Sequence, residues 1–191
     1  KEHKMGWNAQ PTRMITFDDV EVPISHRLGE EGQGFAIAME GLDGGRINIA
    51  TCSVGTAQQA LEDAQAYVSD RKQFGQAIAD FQNTQFKLAD MVTELVAARQ
   101  MIRLAASKLD AGDSQASTYC AMAKRFATDV GFKVCNDALQ LFGGYGYIRE
   151  YPVERYVRDT RVHQILEGTN EVMRVIVGRK LMMDGALEVI K

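Results

Sequence analysis

A chain of 191 residues, 46% hydrophobic and 25% charged, can fill one domain core and is far from a disordered composition. The formal charge of −3, with no block of Lys or Arg, argues against nucleic acid and anionic membranes, leaving small molecules and proteins as expected partners. No apolar run reaches the roughly eighteen residues of a membrane span, and Cys52, Cys120 and Cys135, without CxxC spacing and among apolar neighbours, are expected to be buried thiols in a reducing compartment.

The sequence opens on Lys1-Glu2-His3-Lys4 and enters Trp7 directly, as a piece cut from a longer protein would. From Arg13 to Pro23, Met14, Ile15, Phe17, Val20 and Val22 alternate with polar residues around Asp18-Asp19, which predicts the end of a β region with a hairpin turn. The glycine-rich stretch Leu28 to Gly34 reads as a connector, so a domain boundary is placed between residues 1–34 and 35–191. A first helix is expected from Phe35 to about Ser69, with Ala57, Ala60, Leu61, Ala64 and Val68 on one face. Arg71 to Asp80 forms a loop. A second helix, about Phe81 to Ala111, carries the stripe Leu88, Val92, Leu95, Ile102, Leu109 and ends at Gly112. Asp113 or Ser114 caps a third, whose stripe Ala116, Cys120, Ala123, Ala127, Val130, Val134, Ala138, Leu141 runs to Gly143-Gly144. Pro152 suits the first turn of a short helix through Arg161, and a last helix spans about Asn170 to Leu187. Long helices joined by short loops predict a mainly α fold, an antiparallel four-helix bundle preceded by a short β segment.

Chemistry concentrates in His163 to Glu171. Glu167 lies between apolar Ile165-Leu166 and Gly168, just before a helix start; partial burial there would raise its pKa toward the working range of a general base. Taken alone, the plainer reading has the advantage: an exposed turn, with Thr169 as a helix cap. His26 and His163 have no metal-ligand company, so packing or surface roles and no metal are expected. Arg155, Arg158 and Arg161 read as ion-pair partners of Glu154 and Asp159 or as a solvated face.

Four motifs in order shift the balance. Arg71-Lys72-Gln73-Phe74-Gly75, Phe81-Gln82, Gln140-Leu141-Phe142-Gly143-Gly144-Tyr145-Gly146-Tyr147 and Ile165-Leu166-Glu167-Gly168-Thr169-Asn170-Glu171 resemble the acyl-CoA dehydrogenase family from roughly Trp7 to the C-terminus. Asp43 to Ala50 and His163 to Arg174 most resemble members that oxidise isobutyryl-CoA. The resemblance implies the end of a middle β domain followed by the C-terminal helical bundle of a homotetrameric flavoenzyme. It implies FAD as cofactor, acyl-CoA as substrate and electron-transferring flavoprotein as electron acceptor. The location it implies is the mitochondrial matrix in a eukaryote or the cytoplasm in a bacterium.

By the same resemblance Glu167 is the catalytic base. Arg71, Phe74, Phe81, Gln82, Gln140, Leu141, Phe142, Gly143 and Gly144 are cofactor contacts toward a neighbouring subunit's flavin, and Thr169, Asn170 and Glu171 are flavin-proximal. Asp43, Gly44, Gly45 and Arg46 meet the acyl-CoA, with Arg179 as a further substrate contact or an interhelix ion pair. The two glycines carry a helix-interior penalty of up to about 1 kcal/mol each, as expected where a ligand or a second helix needs room. Relatives acting on isovaleryl-CoA or long chains carry their base on this helix; Gly44-Gly45 offers none, which leaves Glu167. The implied reaction converts isobutyryl-CoA to methacrylyl-CoA, with 2-methylbutyryl-CoA or butyryl-CoA as alternative substrates. The isolated chain is expected to be inactive. A non-catalytic helical self-association module is the competing class.

Overall fold

The computed structural model describes residues 1–185. Helix α1 spans Gly34–Asp70, α2 Gln82–Asp110, α3 Ala116–Phe142, α4 Val153–Arg161 and α5 Asn170–Asp184. The expected extension of the last helix to Leu187 lies outside the described residues. Short connections make α1, α2 and α3 run antiparallel in turn. Helix α3 is central, packed mainly on α1 and α2 and, on its remaining sides, on α4 and α5.

The helices end where backbone chemistry requires it. Gly112 (φ +64°) and Gly143 (φ +58°) adopt conformations that L side chains rarely reach and terminate α2 and α3. Asp113 does not cap α3 directly: it accepts the Gln115 N–H at 2.7 Å and the Lys108 ammonium at 2.7 Å, tightening the turn before the helix. Pro152 directly precedes α4, where its missing N–H costs nothing.

The core is small-residue packing. Ala50, Ala57, Ala60 and Ala64 of α1 meet Ala98 and Ala105 of α2 and Ala123, Ala127 and Ala138 of α3, all fully buried. At the α1–α3 contact a Cβ on Gly131 would stand 2.9 Å from the Ser53 Cβ and 3.0 Å from its carbonyl oxygen, so only glycine admits that approach. The expected α3 stripe is buried apart from partly covered Leu141. On α2 the expected stripe drifts: Val92 is exposed, and Met91, Ala98 and Ala105 join Leu95 and Ile102 inside.

Two expectations are corrected. Residues 13–23 form no strand; a lone extended segment without a neighbouring strand has no ladder to join, and its Met14, Ile15 and Phe17 are exposed. The two-stranded ladder lies instead between α1 and α2, where β1 (Lys72–Gln73) pairs antiparallel with β2 (Gln76–Ala77) around Phe74 and Gly75. Cys52 is exposed on α1, whereas Cys120 and Cys135 are buried as expected.

Candidate active site

Glu167 and Gly168 form the turn between a 3-10 segment (Val162–Gln164) and α5, both in the left-handed region at φ +56° and +86°. For glycine that region is free, whereas for glutamate it costs on the order of 1–2 kcal/mol and persists only where surroundings hold it. Thr169 caps α5 by accepting the Val172 N–H at 3.3 Å. Asn170, buried, donates to the Thr128 hydroxyl at 3.0 Å and the Asp129 carboxylate at 2.8 Å.

Beneath the turn lies a residue that the sequence reading missed. Lys124 of α3 is fully buried, and its ammonium donates to the Gly168 carbonyl at 2.7 Å and the Asn170 side-chain oxygen at 2.8 Å. Burial pushes its pKa down to about 8, against the opposing pull of Asp129, Glu171 and Glu167, so it remains mostly a cation at neutral pH.

Across the cleft stands α1. The half-buried Glu167 carboxyl lies against Gly45: a Cβ there would stand 2.9 Å from the Glu167 carboxyl carbon and closer still to Oε2. The glycines do not interrupt α1, which runs straight through them, and nothing lies within 4 Å of a Cβ built on Gly44. On either side of the glycines, Asp43 and Arg46 pair at 2.6 Å, and Asp43 also accepts from the Ser117 hydroxyl at 3.0 Å. Arg46 is buried, and its Nε has no hydrogen-bond partner among the described residues.

Below, His163 is buried with Nδ1 2.7 Å from the Ser53 hydroxyl and Trp7 edge-on at 5.2 Å. This is the packing role expected of it. Burial pushes its pKa down to about 4 and keeps the ring neutral. The Trp7 backbone N–H donates to Asp159 at 2.5 Å, and Arg158 holds Glu154 and the Met5 carbonyl, so the first residues are tied to α4. Between them a largely apolar cavity of about 430 Å³ reaches Ile165 and Leu166, the residues preceding Glu167.

A second cluster forms at the far end of α3, about 27 Å from Lys124 at 1.5 Å per residue. Tyr67 stacks on Phe142 at 4.2 Å, and the Arg71 guanidinium sits 5.5 Å from the Tyr145 ring centre, with no ion pair among the described residues. Phe74 is 92% exposed in a left-handed conformation (φ +53°) and meets Phe81 edge-on at 6.3 Å. Gln82 starts α2, and Gln140, Gly143 and Gly144 are exposed around the end of α3. Phe142 is spent on the stack and Leu141 on the core, so neither side chain faces outward freely. Arg179 is exposed on α5, about 13 Å along the helix from Asn170, and makes no ion pair among the described residues. Thus Asp43 to Arg46 and Glu167 to Glu171 share one site, and the Arg71 and Gln140 motifs share another.

Residues 32–182 match the family model for the acyl-CoA dehydrogenase C-terminal domain. The chain is 59% identical over 184 residues to the mitochondrial isobutyryl-CoA dehydrogenase of Dictyostelium discoideum, covering 96% of this chain but 44% of that protein. It therefore spans less than half of that relative's length. Among solved structures it is similar to butyryl-CoA dehydrogenase of Megasphaera elsdenii, with a TM-score of 0.92 and 48% identity over 95% of this chain and 47% of that one. It is also similar to a chain from a structural study of the electron-transferring flavoprotein of Acidaminococcus fermentans and flavin-based electron bifurcation. There the TM-score is 0.93, with 49% identity over 96% of this chain and 48% of that one.

Proposed function

This chain belongs to the acyl-CoA dehydrogenase family, and on that premise we propose that it is the C-terminal half of a flavoenzyme oxidising a short branched acyl-CoA, isobutyryl-CoA first among the candidates. The observation that carries the reading is the placement of Glu167: a carboxylate on a left-handed turn, set against the side-chain-free surface of Gly45.

Glu167 takes the α-proton. A thioester α-carbon is a weak acid, so its carbonyl oxygen needs hydrogen-bond donors as charge builds on it. The Glu167 N–H makes no hydrogen bond among the described residues and is free for that use. The missing side chain of Gly45 makes room for the carboxylate itself, and the Asp43–Arg46 pair lies beside it on α1. FAD, when bound, supplies the acceptor for the β-hydrogen and passes electrons on to electron-transferring flavoprotein.

The residues fit such a cofactor in two places. Thr169, Asn170 and Glu171 flank the base, with the Asn170 side chain already spent on Lys124, Thr128 and Asp129, while Arg71, which makes no ion pair among the described residues, and the projecting Phe74 present a forked cation and an aromatic ring at the opposite end of the bundle. Separation by about 27 Å of helix supports a reading in which each chain serves two flavins, its own and a neighbour's, within a homotetramer. The compartment follows the source, matrix in a eukaryote and cytoplasm in a bacterium. Anaerobic titration of the full-length holoenzyme with isobutyryl-, 2-methylbutyryl- and butyryl-CoA tests the substrate. Fastest bleaching of the flavin by isobutyryl-CoA is expected; preference for a straight chain would reject the branched assignment.

A further inference from the structure

Lys124 is an expensive residue to place where it is. Its side chain has no exposure, and no carboxylate lies within ion-pair distance among the described residues. A buried ammonium held only by neutral oxygens is poorly compensated for its lost hydration. One oxygen belongs to the turn that carries Glu167, and the other to the first residue of α5, two residues further on.

The other contacts of that turn are already satisfied without it. Thr169 caps α5, and the Asn170 amide nitrogen is bound by Thr128 and Asp129. The Gly168 carbonyl has no other donor among the described residues. Because a trans peptide is planar, fixing that carbonyl toward α3 points the Thr169 N–H the opposite way and fixes ψ at Gly168. The left-handed pair Glu167-Gly168 thus has one end pinned by Lys124.

We infer that Lys124 is a positioning residue: by gripping the Gly168 carbonyl and the Asn170 side-chain oxygen it locks the left-handed turn and sets where the Glu167 carboxylate meets the substrate. This inference rests on Glu167 being the base. The charged groups that act on the lysine are Asp129, Glu171 and Glu167, which help it keep its proton, and Arg46, which opposes it.

The test uses the full-length FAD holoenzyme, with flavin content, acyl-CoA affinity from flavin spectral changes and the anaerobic rate of flavin reduction measured separately. Lys124→Met keeps the length and removes the donors. It is expected to retain flavin, to bind isobutyryl-CoA within about threefold of wild type, and to reduce flavin at least about tenfold more slowly, as misplacement of a reacting group does. Lys124→Gln, which restores one shorter donor, is expected to recover part of that rate. A smaller loss in Lys124→Met, or a loss that comes with weakened acyl-CoA binding, overturns the inference. If Lys124→Met does not fold, Lys124→Gln is judged alone: flavin reduction slower by at least about threefold with acyl-CoA binding within about threefold of wild type is expected, and an unchanged rate or weakened binding overturns the inference. Glu167→Gln separates the two readings: substantial turnover in that variant removes the base itself, while an inert Glu167→Gln beside a normal Lys124→Met removes only the role of Lys124.

Discussion

Gly45→Ala puts the geometry of the cleft under direct strain. The new Cβ would lie 2.9 Å from the Glu167 carboxyl carbon and 3.4 Å from Oε1. Carbon atoms rest at about 3.5–4.0 Å, so the carboxyl must retreat by about 1 Å. The obstacle is the end of a flexible side chain and not backbone, so the fold gives way cheaply, at about 0.5–1.5 kcal/mol for an off-rotamer glutamate. Alanine in place of glycine in a helix returns up to about 1 kcal/mol, leaving stability within about 1 kcal/mol of the parent. Catalysis has no such compensation: a displacement of about 1 Å costs about a hundredfold. Thermal melts and anaerobic flavin reduction of the holoenzyme should therefore separate, with an unchanged melt and a reduction rate about a hundredfold lower. Gly55→Ala, on the same helix with nothing within 4 Å of the added carbon, is the control. It should raise stability by up to about 1 kcal/mol and leave the rate alone. A Gly45→Ala enzyme reducing its flavin within a few-fold of the parent would refute the placement of Glu167 against α1.

Gly131→Ala should act on stability instead, because its Cβ meets the Ser53 backbone at 3.0 Å, where neither helix can yield without shifting; denaturant unfolding should show a loss of about 1–3 kcal/mol, and an unchanged midpoint would contradict the close α1–α3 packing. His163 is held near pKa 4 by burial against 6.5 when free, so the unfolded chain takes up the extra proton as pH falls. Stability is then full above pH 6.5 and lost progressively toward pH 4, by up to about 3 kcal/mol. His163→Gln, which can still meet Ser53, should flatten that acid limb in equilibrium unfolding; an identical pH slope would show that Asp159, Lys124 or other groups set it.

The helices were legible because an apolar stripe at helical spacing marks the inward face: Ala57 to Val68, apart from partly covered Leu61, and Cys120 to Ala138 are buried as their spacing requires. Val92 shows the limit, since in a stripe read over about six turns one member faces outward and the neighbouring Met91 takes the inner place. Residues 13–23 carry a strand pattern that only partner strands could satisfy. Cys52 has apolar neighbours in sequence yet lies on the outward side of α1, a fact only helix packing decides. Glu167 could be found from its motif, but the Gly45 surface opposite it lies 122 residues earlier and is joined to it by tertiary structure alone. Lys124 did leave a trace. It stands four residues after Cys120 and three before Ala127, inside the buried stripe of α3, and a lysine at such a position announces a buried charge with a task.

The most direct measurement is the rate at which isobutyryl-CoA bleaches the flavin of full-length Glu167→Gln under anaerobic conditions. With a neutral amide on the same turn, the flavin should stay bound and oxidised while the acyl-CoA still binds, because nothing in the cleft takes the α-proton in its place. Bleaching at a rate within tenfold of the parent enzyme would mean that another group removes that proton and that the carboxylate facing Gly45 is not the base.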